Sequence, residues 1–161
     1  DTPIVAPASN AKKKNQMIYI IACLVFGGWL AYDGYLTQFE GMPHHNFYIE
    51  HVVENDGKPD ATMQFNRYGS VVLGIGIVFF AIRYFRISKQ KIVADESQLH
   101  LNGKTIPYDT IEAINKTHFE SKGFFAVTYK PDGSQEQTVR ISDRDYDNVG
   151  SILDLLIAKI S

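Results

Sequence analysis

The run Met17–Tyr32, MIYIIACLVFGGWLAY, decides the fold class. It carries no charged side chain, and with Asp33 to Leu36 added it reaches the ~20 helical residues that a hydrocarbon core of ~30 Å requires. A second run, Tyr68–Ile82 (YGSVVLGIGIVFFAI), repeats the character and leads into Arg83. Neither shows a polar stripe, and a chain of 161 residues has too little other mass to bury two such helices on every side. The reading is therefore a pair of membrane helices rather than two core helices of a soluble globule. Ile20-Ile21-Ala22-Cys23 resembles a lipoprotein cleavage box, but the apolar stretch runs on past Cys23, which reads as a small packing residue.

The average composition hides this division. At 45% hydrophobic and 21% charged the chain looks like an ordinary soluble protein. Its net charge of -2 argues against a nucleic-acid partner, and a single cysteine excludes an intrachain disulfide framework. Working outward from the two runs gives an N-terminal tail (1–16), a first transmembrane helix (17–37), an acidic external loop (38–67), a second transmembrane helix (68–87) and a C-terminal domain (88–161).

Charge sets the orientation. Lys12, Lys13 and Lys14 precede the first helix, and Arg83, Arg86, Lys89 and Lys91 follow the second. Between the runs, residues 37–66 hold Glu40, Glu50, Glu54, Asp56 and Asp60 against Lys58. The positive-inside rule places both termini in the cytoplasm of a cell whose plasma (inner) membrane the chain crosses twice. Trp29, Tyr32, Tyr35 and Tyr68 fall where the helices meet the outer interface, and Arg83, Arg86 and Lys89 where the second helix leaves the inner one. Gly27 with Ala31, and Ser70 with Gly74, form small-xxx-small pairs that allow close helix packing.

In the loop, Phe47–Val53 (FYIEHVV) has strand composition, residues 54–60 read as a turn, and residues 61–65 as a returning strand, so a short β-hairpin is expected. His44, His45 and His51 lie beside Glu50 and Glu54 in no recognisable ligand spacing, so no metal site is expected. Neither apolar run holds a histidine, which leaves no axial haem ligand there. Asp33 is the acid nearest a membrane helix and reads as an interfacial carboxylate.

Beyond Ile87 the apolar pattern begins to alternate. Leu99-His100-Leu101, Asn102-Gly103 and Lys104-Thr105-Ile106 specify a type I′ hairpin, because Asn-Gly tolerates the two positive φ angles such a turn needs. Phe124–Lys130 and Gln137–Ile141 are strands around the turn Pro131-Asp132-Gly133-Ser134. Val149, Ile152, Leu153, Leu156 and Ile160 recur at helical spacing, with Asp143 or Asp145 placed to cap that helix.

Two membrane helices, a basic exit and the step Ile106-Pro107-Tyr108-Asp109-Thr110-Ile111 resemble bacterial membrane proteins with a pleckstrin-homology-like (PH-like) cytoplasmic domain. The resemblance covers about residues 88–160. It implies an α+β membrane protein in which a two-helix transmembrane hairpin precedes a PH-like antiparallel half-barrel of seven strands capped by a C-terminal helix. The residues alone show five or six of those strands.

No P-loop, GxGxxG, HExxH or GxSxG occurs, and His100 and His118 stand apart in sequence. No catalytic, cofactor-binding or metal residue is expected. The remaining reading is a non-catalytic membrane-anchored interaction module. It would serve as an accessory or scaffold subunit of a larger plasma-membrane complex, for which a photosynthetic or respiratory assembly is a natural host. Its partners would be integral membrane proteins and the bilayer. The alternative is a stand-alone membrane sensor or regulator that reads a ligand or partner through the PH-like domain.

Overall fold

The computed structural model describes residues 2–160. They form two compact units, one of residues 15–84 and one joining residues 2–14 to residues 85–160.

The second unit is built on two antiparallel sheets. Strands β1 (Ile4–Pro7), β2 (Lys91–Ala94), β3 (Gln98–Leu101) and β4 (Lys104–Pro107) lie in that order in the first. Strands β5 (Ile111–Asn115), β6 (Phe124–Tyr129) and β7 (Gln137–Ser142) form the second. The sheets do not close into a barrel. Alternation decides what each strand buries: Phe125, Val127 and Tyr129 of β6 turn inward while Phe124, Ala126 and Thr128 are half-exposed. Ile92, Leu99 and Ile106 from the first sheet and Ile141 from the second join them. Ile152 and Leu156 of the terminal helix Val149–Ile160 complete one shared core. The Asn-Gly turn forms as the sequence predicts, with φ of 49° at Asn102 and 87° at Gly103.

The segment read as a tail holds an edge strand and the start of a helix. Ile4 pairs with Ala94 and Pro7 with Lys91. The far side of β1 is latched by the stretch before the terminal helix: the Asp147 amide donates to the Pro7 carbonyl (2.9 Å) and the Ser9 amide to the Asp145 carbonyl (2.9 Å). Asp143 and Asp145 do not cap the terminal helix. Instead Asp147 Oδ2 accepts from the Asn10 amide (3.1 Å) and Asp145 Oδ1 pairs with Lys12 Nζ (2.6 Å). Carboxylates still meet a helix N-terminus, as the helix dipole favours, but the helix is the one starting at Asn10.

In the other unit, α1 (Asn10–Ala31) runs on into a π-helical turn, Tyr32–Leu36. A short helix α2 (His45–Tyr48) continues into a second π-helical turn, Ile49–Val53, and α3 spans Ala61–Ser88. The β-hairpin expected in the loop is absent from these residues. Phe47–Val53 is helical, and residues 61–65 are the first turns of α3. The β-branched and aromatic composition of FYIEHVV is overridden by contacts at helical spacing, such as Phe47 against His51 with ring centroids 4.3 Å apart.

Within this unit α1 and α3 pack antiparallel. Tyr19 meets Phe80 (ring centroids 5.2 Å apart), and a Cβ added at Gly76 would lie 3.4 Å from Cys23 Sγ. Gly27 faces Leu73, Gly69 faces Leu30, and Gly34 faces Arg67. The large apolar side chains point away: Phe26 is 63% exposed and Ile75 65%. Residues 10–36 and 61–88 are both long and apolar enough to cross a membrane.

Candidate functional site

Asp33 lies at the end of α1, where the helix widens into its π-helical turn. Such turns insert one extra residue per ring and recur at functional sites. The Asp33 side chain is buried and is held from two sides: Trp29 Nε1–H donates to Oδ2 (2.8 Å), and His44 Nδ1 lies 2.9 Å from Oδ1. His44 has φ of 69°, a left-handed backbone that few non-glycine residues adopt, and its ring stacks on Phe47 at 5.3 Å. Neighbouring bonds tie the connecting chain to the helix end. Tyr32 OH donates to the Pro43 carbonyl (2.7 Å), Thr37 Oγ1–H to the Asp33 carbonyl (2.7 Å), and His45 Nδ1–H to the Thr37 carbonyl (2.7 Å). Trp29, Tyr32, Asp33 and His44 line an open cleft of about 370 Å³.

A second His–carboxylate pair starts α3. Asp60 Oδ1 accepts from the Met63 amide (2.9 Å), and Oδ2 meets His51 Nδ1 at 2.7 Å. The Met63 amide first, and then His51, hold the Asp60 carboxyl below the usual carboxylate range.

The residues expected to anchor the chain at an interface serve different local roles. Trp29 and Tyr32 belong to the Asp33 cluster. Tyr35 OH donates to the Arg67 carbonyl at 3.3 Å, and the Arg67 guanidinium lies over the Tyr35 ring. Tyr68 is 70% exposed, and Arg83, Arg86 and Lys89 are exposed. Of the packing residues, Gly27 makes the expected close approach, since a Cβ there would lie 3.1 Å from Leu73 Cβ. Gly74 faces open space, and Ser70 Oγ–H donates to its own helix at the Arg67 carbonyl (2.7 Å). Ala31 is half-buried. The close approaches that spacing alone did not single out are at Gly34, Gly69 and Gly76.

In the β unit, His100 and Tyr108 converge on Asp95. His100 Nε2 is 3.2 Å from Asp95 Oδ2, and Tyr108 OH donates to the Asp95 carbonyl (2.8 Å). Burial first, and then the Asp95 charge, push the Tyr108 phenol up to about 12. The Ser97 and Gln98 amides and His100 hold Asp95 below the usual carboxylate range. His118 lies against Phe124 instead, with ring centroids 5.3 Å apart. Clefts lie on this unit among the described residues. One of about 200 Å³ touches Ile4, Asp95, Leu155 and Lys159, and one of about 240 Å³ touches Lys89, Lys91, His100 and Asn102. Among the described residues no group of three or more His, Cys, Asp or Glu could hold a metal.

The chain matches no family model, no curated protein and no solved structure. The Trp29–Asp33–His44 cluster joins a buried carboxylate to an open cleft in the helical unit. Its sequence signal is an acid at the end of an apolar run followed by paired histidines. Sequence spacing does not reveal that His44 folds back onto Asp33, because that contact depends on the turn at Met42–His44.

Proposed function

We propose that this protein is a non-catalytic, membrane-anchored interaction module that serves as an accessory subunit of a larger plasma-membrane complex. Its two long helices pack against integral membrane proteins of that complex, and its β unit is a PH-like domain held on the cytoplasmic side. The observation that carries the reading is apolar exposure. Val25, Phe26, Trp29, Phe65, Val72 and Ile75 are each between 59% and 67% exposed. In water such a contiguous surface is a strong association site, and lipid or neighbouring helices are its natural cover.

Two features of the β unit support the rest. Six strands between residues 91 and 142, with β1 added from the N-terminal segment, share a core with a terminal helix, which supports the PH-like reading while supplying the seventh strand from outside the residues of the resemblance. Because β1 precedes α1 and β2 follows α3, the whole helical hairpin is inserted between two paired strands. That pairing requires both ends of a membrane hairpin to emerge on one face, in agreement with the flanking lysines and arginines.

Extraction of native membranes in a mild detergent, followed by a native gel and mass spectrometry of the band, tests the proposal. The expected result is a large complex in which this chain has fixed stoichiometry. Migration alone or as a small homo-oligomer overturns it and favours the sensor reading.

A further inference from the structure

We infer that Trp29, Tyr32, Asp33 and His44 form a binding site for a lipid-soluble hydroquinone-type ring, whose hydroxyl donates to His44 Nε2. The inference rests on the membrane reading above for its ligand's solubility, but its geometry stands within one helix end. The Asp33 carboxylate accepts from His44 Nδ1–H, so the neutral imidazole keeps its proton on Nδ1. Nε2 is then left as an acceptor, on a side chain that is 56% exposed. Both Asp33 oxygens already accept a hydrogen bond, Oδ2 from Trp29 and Oδ1 from His44. Tyr32 OH is likewise committed as a donor to the Pro43 carbonyl. The cleft thus offers aromatic and apolar walls and one oriented hydrogen-bond acceptor, in a volume of about 370 Å³ that suits a single ring.

Three independent departures from regular structure are spent on this arrangement: a π-helical turn, a left-handed histidine and a buried carboxylate at the end of an apolar helix. Each is costly alone, and together they fix the orientation of one imidazole. A hairpin needing only a chain reversal has no use for that orientation.

The test uses the full chain in detergent micelles at pH 8, above the ordinary histidine range of about 6.5. Trp29 is the only tryptophan, so its emission reports on the cleft directly. Decyl-benzoquinone serves as quencher and the matching decyl-hydroquinone as competitor. The expected result is saturable quenching, displaced by hydroquinone that binds about 5- to 10-fold more tightly than the quinone.

Asp33→Asn sharpens the test. The carboxamide keeps an oxygen for Trp29 but presents N–H to His44 Nδ1, which moves the imidazole proton to Nε2. The preference for hydroquinone is then lost, because Nε2–H donates to a ring carbonyl and to a hydroxyl oxygen alike. His44→Gln is expected to weaken hydroquinone binding about 10-fold while leaving the far-UV spectrum of the helices unchanged. It serves alone if Asp33→Asn does not fold. Quenching that rises linearly and equally in all the proteins overturns the site, as does saturable quenching that neither substitution alters. If the chain proves soluble without detergent, the membrane reading fails. The same titration in buffer with a methyl-substituted hydroquinone then decides the site separately.

Discussion

Phe125 and Phe26 carry the same side chain and are used in opposite ways. Phe125 is fully buried, flanked on β6 by inward neighbours and covered by the terminal helix. Phe26 is 63% exposed, while the residue beside it, Gly27, is buried against Leu73. The β unit places its large apolar side chains inside. The helical unit buries Gly27 and Gly34 and leaves Phe26, Phe65 and Ile75 exposed. Burial in the first removes apolar surface from water. Packing in the second brings two backbones close and leaves large apolar side chains exposed.

The largest expected effect breaks this comparison at its two phenylalanines. Phe125→Ala should destabilise the β unit by about 3–5 kcal/mol, through lost transfer energy and the cavity left behind. Phe26→Ala should change helical stability by less than about 0.5 kcal/mol. Amide hydrogen exchange of the full chain in mild micelles, read over β6 for the β unit and over α1 for the helices, separates the two. Equal losses at both positions would show that Phe26 is also a core residue.

A smaller effect sharpens the description of the helix contact. Gly34→Ala puts a methyl 3.1 Å from the Arg67 amide nitrogen, which belongs to backbone and cannot swing aside. It should cost about 1–3 kcal/mol. Gly74→Ala meets nothing within 4 Å and should stabilise α3 by about 0.5–1 kcal/mol, because alanine orders more cheaply in a helix. Thermal melts of the two variants in the same detergent should move in opposite directions.

These outcomes bear on what the sequence could reveal. Apolar runs show themselves by composition, so both long helices were legible, as was the Asn102-Gly103 turn from its two residues. Which glycine faces the partner helix was not legible. Gly27 and Gly74 share the same kind of spacing, but one meets Leu73 and the other meets nothing. Strand β1 was illegible for another reason. IVAP is four residues long, and its partner Lys91–Ala94 lies far along the chain, so no local pattern announces it. The loop is helical where its composition predicts a strand, because aromatic and β-branched residues suit a strand until His44 and His45 are tied back to α1. The candidate site was half legible: Asp33 and the histidines stood out by type, but their contact required the fold.

The smallest perturbation is a single proton on the β unit. Tyr108 is held up to about 12 by burial and by Asp95, against about 10 for the unfolded chain. The folded state therefore favours the neutral phenol. Its stabilisation is complete below pH 10 and is lost as the pH rises through 12. Burial raises Tyr146 in the same direction. Unfolding midpoints measured from pH 9 to pH 12 should fall across that window, less in Tyr108→Phe than in the parent chain. A fall that begins below pH 9 would assign the loss to other groups.

The pairing of Ile4 with Ala94 also orders events during synthesis. The first strand leaves the ribosome with no partner and must wait while the two long helices are made. Its neighbour emerges only after α3 is complete. In the membrane setting proposed above, a hairpin inserted with its ends on opposite faces would strand β1 across the bilayer. The sheet would then lack its fourth strand, and the edge of β2 would stay open to proteases and chaperones. In that setting, completion of the sheet requires both ends of the hairpin on the same face.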